Sequence, residues 1–183
     1  MKIMEPSCEE TVALLARTPA ILAAWLSGLT PAQSRLSEGG NAWSLLEVVG
    51  HLIYGERTDW MPRIQLILKS GDARPFDPFD MKGHEAEAAG RSMPELLEAF
   101  ARLRRQNLEA LSGLRLRPED LGRHGRHPEL GRVTLGQLLS TWAAHDLTHL
   151  HQIARIQAAA YRAAVGPWAQ YLGVLRCAGH SVK

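Results

Sequence analysis

Residues 133–156 read VTLGQLLSTWAAHDLTHLHQIARI, and the spacing of their apolar side chains decides the fold. Leu138, Trp142, His145, His149, Gln152 and Ile156 alternate steps of four and three, the repeat of one helical face. Thr134 and Gln137 have the spacing of a capping box, and Val133 can staple onto Leu138, so the helix has a written start. Two histidines therefore stand where a helix bundle expects leucine or valine. They are one turn apart, about 5–6 Å between Cβ atoms. Burying an imidazole with an unmatched nitrogen costs about 1–3 kcal/mol. A shared divalent metal would satisfy both rings; so would hydrogen bonds to core water or backbone, or an exposed end of the seam.

Three more segments carry helical periodicity, and none carries a convincing strand alternation. The first covers about 8–29, with Val12, Leu15, Leu22, Trp25, Leu26 and Leu29 on its apolar side. Pro19 interrupts it, and either a kink in one helix or the start of a new one fits the sequence. The second opens at a capping box, Ser44 with Glu47, with Trp43 placed to staple onto Val48; it runs to about residue 70 with a kink expected at Pro62. The third begins at Ser92 with Glu95 and has Pro94 in its first turn. The fourth is the histidine-bearing segment, expected to reach about residue 164. Residues 72–91 form a connection longer than a bundle needs, hence a crossover or a lid. Residues 115–132 read as a structured loop, and 168–177 as a last helical piece. Four long amphipathic helices without strands imply an all-α four-helix bundle, a single domain over residues 1–183.

Composition limits the function. The chain has 183 residues, 45% apolar content, 22% charged residues and a net charge of +2. With its arginines scattered, no basic stripe points to nucleic acid. No run approaches the about 18 apolar residues of a membrane span. The start Met1-Lys2-Ile3-Met4-Glu5-Pro6 lacks the apolar run of a signal peptide. Cys8 and Cys177 form no framework or metal motif, which fits a reducing cytosol. The expectation is a soluble cytoplasmic protein.

Other polar residues have competing readings. His51, after Gly50, lies at the edge of the second helix's apolar stripe, where a histidine is more often structural than a ligand. Gly55, one turn on, either leaves room beside the seam or marks a close helix contact. Asp146 either orients an imidazole or is a solvated charge. Gln152 lies in the histidine seam and can bond within a site or between helices. Glu47 is expected to cap, Glu56 to make a surface salt bridge, His151 to face solvent, and His84, His124 and His127 to sit exposed in loops.

Trp43-Ser44, Glu47, Gly50-His51-Leu52 and Glu56 resemble the start of the second helix in the DinB/YfiT-like superfamily. The stretch Leu130-Gly131-Arg132-Val133-Thr134-Leu135, leading to Trp142, His145-Asp146, His149 and Gln152-Ile153, is similar to that family's fourth helix. The resemblance implies an up-down-down-up bundle with 72–91 as the long crossover. It implies a metal site of His51, His145 and His149, with Asp146 and Gln152 as supporting residues. Three nitrogen ligands leave an open coordination position, as catalytic rather than structural metals have, and imidazole suits zinc and nickel alike. A metal-bound water or thiolate would then attack a small electrophilic substrate. Relatives of this kind are thiol S-transferases, using low-molecular-weight thiols, or metal-dependent hydrolases. A non-catalytic metal-binding stress protein is the alternative. Homodimers also occur among such relatives, and Trp168 and Leu172 offer an apolar contact.

Overall fold

The computed structural model describes residues 6–177; Met1–Glu5, part of the stretch judged unlike a signal peptide, lies outside them. The helices are α1 (Cys8–Leu26), α2 (Pro31–Ser34), α3 (Leu45–Thr58), α4 (Trp60–Ser70), α5 (Gly83–Ala88), α6 (Met93–Gly113) and α7 (Leu135–Ala159). A hairpin, β1 (His124–His127) and β2 (Gly131–Thr134), precedes α7, and short 3-10 turns cover 166–175. No helix among the described residues is long and apolar enough to cross a membrane.

The core has two apolar layers, and their membership gives the helix directions. One layer joins Leu22 and Leu26 of α1, Leu45–Ile53 of α3, Met93–Phe100 of α6 and Ile153 and Ile156 of α7. The other joins Leu15, the residues of α4 from Trp60 to Ile67, Leu111 and the start of α7 from Leu135 to Ala143. The N-terminal ends of α3 and α6 thus share a layer with the C-terminal ends of α1 and α7. The bundle runs up, down, down, up, and the chain crosses its length between α4 and α6.

Between the layers lies a charged cluster. The Arg104 side chain is 1% exposed and that of Glu56 0%, as is that of Asp146. From α6, Arg104 donates through Nη1 and Nη2 to Asp146 on α7 at 2.6 and 2.9 Å. Through Nε and Nη2 it donates to Glu56 on α3 at 3.1 and 2.8 Å. The remaining acceptor sites are met by Trp142 Nε1 and Asn107 Nδ2 on Glu56 and Thr18 Oγ1 on Asp146. Glu56 is therefore not a surface ion-pair partner, and Asp146 is not a solvated charge. The Asp146 carboxylate accepts from Arg104 and Thr18.

Pro19 takes part in this cluster. Helix α1 runs unbroken through it. A proline has no N–H to give the carbonyl four residues back, and Leu15 O accepts from Arg104 Nη1 at 2.8 Å in its place. The expected kink at Pro62 is replaced by a break three residues earlier. Asp59 (φ −108°, ψ −66°) ends α3 and starts α4, so Pro62 falls in a first turn, where its missing donor has no helical partner to lose.

The capping boxes at Ser44, Ser92 and Thr134 all form. Helices α1 and α7 end short of residues 29 and 164, and 166–175 is 3-10 rather than α-helical. Residues 115–132 are also more ordered than the sequence indicated. Part of them pairs with 131–134 as an antiparallel hairpin, His124 opposite Thr134. Its four-residue strands hold Val133 as their one apolar side chain, so no alternation reveals them, and Gly125 faces inward where a Cβ would lie 2.6 Å from Ile67. The 72–91 connection holds α5, seated on α3 through two glycines: a Cβ at Gly50 would meet His84 O at 2.9 Å, and one at Gly83 would overlap the Tyr54 ring.

Replacing Arg104 by leucine leaves two buried carboxylates with no cation. Chemical denaturation of Arg104→Leu is expected to show a loss of about 3–5 kcal/mol. A loss under about 1 kcal/mol, the level of an exposed pair, would show that the cluster does not hold the bundle.

Candidate metal centre

Helices α3 and α7 run antiparallel, and their histidines meet where the two layers join. His51 comes from the middle of α3; His145 and His149 come from successive turns of α7. His51 Nε2 lies 3.0 Å from His145 Nε2, and His149 Nε2 lies 3.1 Å from that same atom. All three residues offer a ligand atom within 4.8 Å of the others. His51 and His149 are buried and His145 is half-buried.

The donor set has a specific chemical difficulty. An imidazole nitrogen carries one proton or one lone pair, never both. His149 Nδ1 lies 2.8 Å from Gln152 Oε1, so Nδ1 carries the proton and Nε2 presents its lone pair. His145 Nε2 can then satisfy one of its two nitrogen neighbours by a hydrogen bond, not both. A cation among the three nitrogens satisfies every lone pair at once. The residues present fit a metal, therefore, and Gln152 stands where a supporting partner is needed.

Burial, and then the neighbouring His149 and His84, push the His51 pKa down from 6.5 to about 3. At neutral pH its ring is uncharged, the form that can bind a cation.

Aromatic rings enclose the group. Trp43, from the turn before α3, lies over His51, His84 and His149 with centroids 4.8, 4.4 and 6.3 Å away. Trp60 meets His145 edge-on at 5.1 Å. Phe79, from the crossover, meets His51 at 5.4 Å. Trp43 was expected only as a staple; that it precedes the capped helix carrying His51 was the available clue. His84 is buried rather than loop-exposed, its Nδ1 2.9 Å from Met81 O. His124 and His127 are half-buried in β1, and His151 faces solvent as expected. The room that Gly55 offers is taken by Trp60, whose Nε1 would lie 3.3 Å from an added Cβ.

Beside the histidines opens a cavity of about 420 Å³, within the usual range for small-molecule sites. Its walls come from α3, α4, α7, the crossover and the hairpin. Most of the lining is apolar, with Trp60, Phe76, Phe79, Leu130, Val133 and Leu138 contributing.

The family model of the DinB superfamily matches residues 14–153. Among solved structures the chain is similar to YfiT from Bacillus subtilis, described as "a probable metal-dependent hydrolase with an unusual four-helix bundle topology". The TM-score is 0.71 at 19% sequence identity, over 89% of this chain and 91% of that one. It is also similar to TT2238, described as "a four-helix bundle protein", with a TM-score of 0.55 at 18% identity over 80% of this chain and 98% of that one. At such identities the likeness establishes the fold. No curated protein matches the chain.

The depressed His51 pKa makes the metal-free chain acid-sensitive. Between 6.5 and about 3 the unfolded chain takes up a proton at this residue that the folded chain refuses, so stability falls as pH drops through that window. The denaturation midpoint of chelated protein is expected to fall less steeply with acid in His51→Leu than in the parent. Equal slopes would remove His51 as a source of the effect.

Proposed function

The chain belongs to the DinB superfamily, and on that premise we propose that it is a metal-dependent hydrolase acting on a small electrophilic substrate. His51, His145 and His149 are its metal ligands in this reading. One observation carries the proposal: three imidazole Nε2 atoms from two antiparallel helices stand 3.0 and 3.1 Å apart in sequence, an arrangement hydrogen bonds alone cannot satisfy. The description of YfiT as a probable metal-dependent hydrolase agrees with it.

A divalent cation held by three neutral nitrogens supplies Lewis acidity and lets water act as a nucleophile near neutral pH. Zinc and nickel both suit such ligands. The protein's own residues do the rest. Gln152 fixes the His149 tautomer by accepting from Nδ1. The Arg104 cluster holds α3 against α7 and so sets where His51 stands relative to the other two. Trp43, Trp60 and Phe79 pack on the ligand group and also line the cavity beside it, so the wall next to the histidines is apolar. That cavity receives the substrate. A low-molecular-weight thiol admitted there would turn the same site to S-transfer.

Untagged protein is expected to take up about one equivalent of zinc or nickel by elemental analysis, matching one three-nitrogen site. Gln152→Ala should weaken metal binding about 10–100-fold, and His149→Ala by more than that. Turnover of activated esters, with and without added thiols, should require the metal and vanish in His149→Ala. Uptake well below one equivalent after reconstitution, or activity unchanged in His149→Ala, would overturn the reading.

A further inference from the structure

The cavity lining carries one charged side chain that holding a metal does not need. Past the break at Asp59, α4 places Arg63 in that lining. Its guanidinium carbon sits 5.1 Å from the centre of the Phe76 ring, another lining residue. The side chain is 11% exposed. Its ion-pair partner among the described residues is Asp59, met by Nε at 2.5 Å. That leaves the Nη edge of the guanidinium, the planar fork that matches a carboxylate.

We propose that Arg63 is a specificity-determining residue: it binds a carboxylate on the substrate, so that the cavity takes a small acid with an apolar body. The inference rests on the reading of this cavity as the substrate site. The surroundings agree with it. Trp60, Phe76, Leu130, Val133 and Leu138 can cover an apolar body but offer it no charge. Burial, and then the charge of Arg63, hold the His127 pKa below its ordinary value, so that neighbour adds no competing cation. Asp59 is a reluctant counter-ion, because burial raises its pKa against the pull of Arg63. An arginine stacked on an aromatic ring in a nearly dry wall is well placed to read one carboxylate. One end of the substrate is thus held by Arg63 while its reactive group lies among the histidines.

The test is calorimetric binding of 4-phenylbutyrate and of 4-phenylbutan-1-ol, which share an apolar body and differ in the charged end. Both are titrated into the full chain, zinc-loaded and chelated, as parent, Arg63→Met and Asp59→Asn. The parent is expected to bind the acid at least about tenfold more tightly than the alcohol in both metal states, the low end of what a charge-assisted hydrogen bond contributes. Arg63→Met should bring the two to parity, and Asp59→Asn should widen the gap. Three outcomes overturn the proposal: equal affinities in the parent, no binding of either compound, or a preference that survives Arg63→Met. The parent comparison needs no variant to fold. Should the acid preference stand while no ester is turned over, the hydrolase reading fails and this one does not.

Discussion

One guanidinium clamped between two carboxylates is the constraint from which the rest of the molecule follows. Arg104 reaches Glu56 on α3, Asp146 on α7 and the Leu15 carbonyl on α1, so all four long helices meet through one side chain. Such an assembly is tolerable in a core only when every remaining polar atom is matched, and Trp142, Asn107 and Thr18 do the matching. The geometry admits one register. Sliding any helix along its axis would strand a charge where no water can reach it.

That register is also the register of the imidazoles. His51 precedes Glu56 by five residues on α3, and His145 is the neighbour of Asp146 on α7. Apolar layers above and below supply most of the burial, but apolar contacts are non-directional and would accept small shifts. The ionic cluster would not. Stability and site geometry thus come from adjacent positions on the same two helices.

Much of this was legible in the sequence. The bundle, the capping boxes and the crossover follow from local periodicity and spacing, and His145 and His149 follow from one helical turn. What escaped notice depends on partners far along the chain. Arg104 lies four residues after Phe100 and eight after Leu96, on the apolar stripe of α6, yet a lone charge there reads as surface until its carboxylates are known. They lie 48 and 42 residues away. Glu56 as a surface partner and Asp146 as a solvated charge were misread for the same reason. His84 was read as exposed because its loop has no period, and it is the tight seat of α5 on α3, through Gly50 and Gly83, that buries it. The hairpin went unseen because two four-residue strands with Val133 as their one apolar side chain carry no alternation.

Because the three ring nitrogens are contributed from opposite directions along antiparallel rods, their spacing works as a vernier on helix slippage. One residue of travel is about 1.5 Å, half the separation between neighbouring nitrogens. A bundle loosened by a distant change could stay helical and compact while its ring atoms drift beyond the reach of a single ion. Loss of the shared meeting point of the three rings would then precede any visible melting.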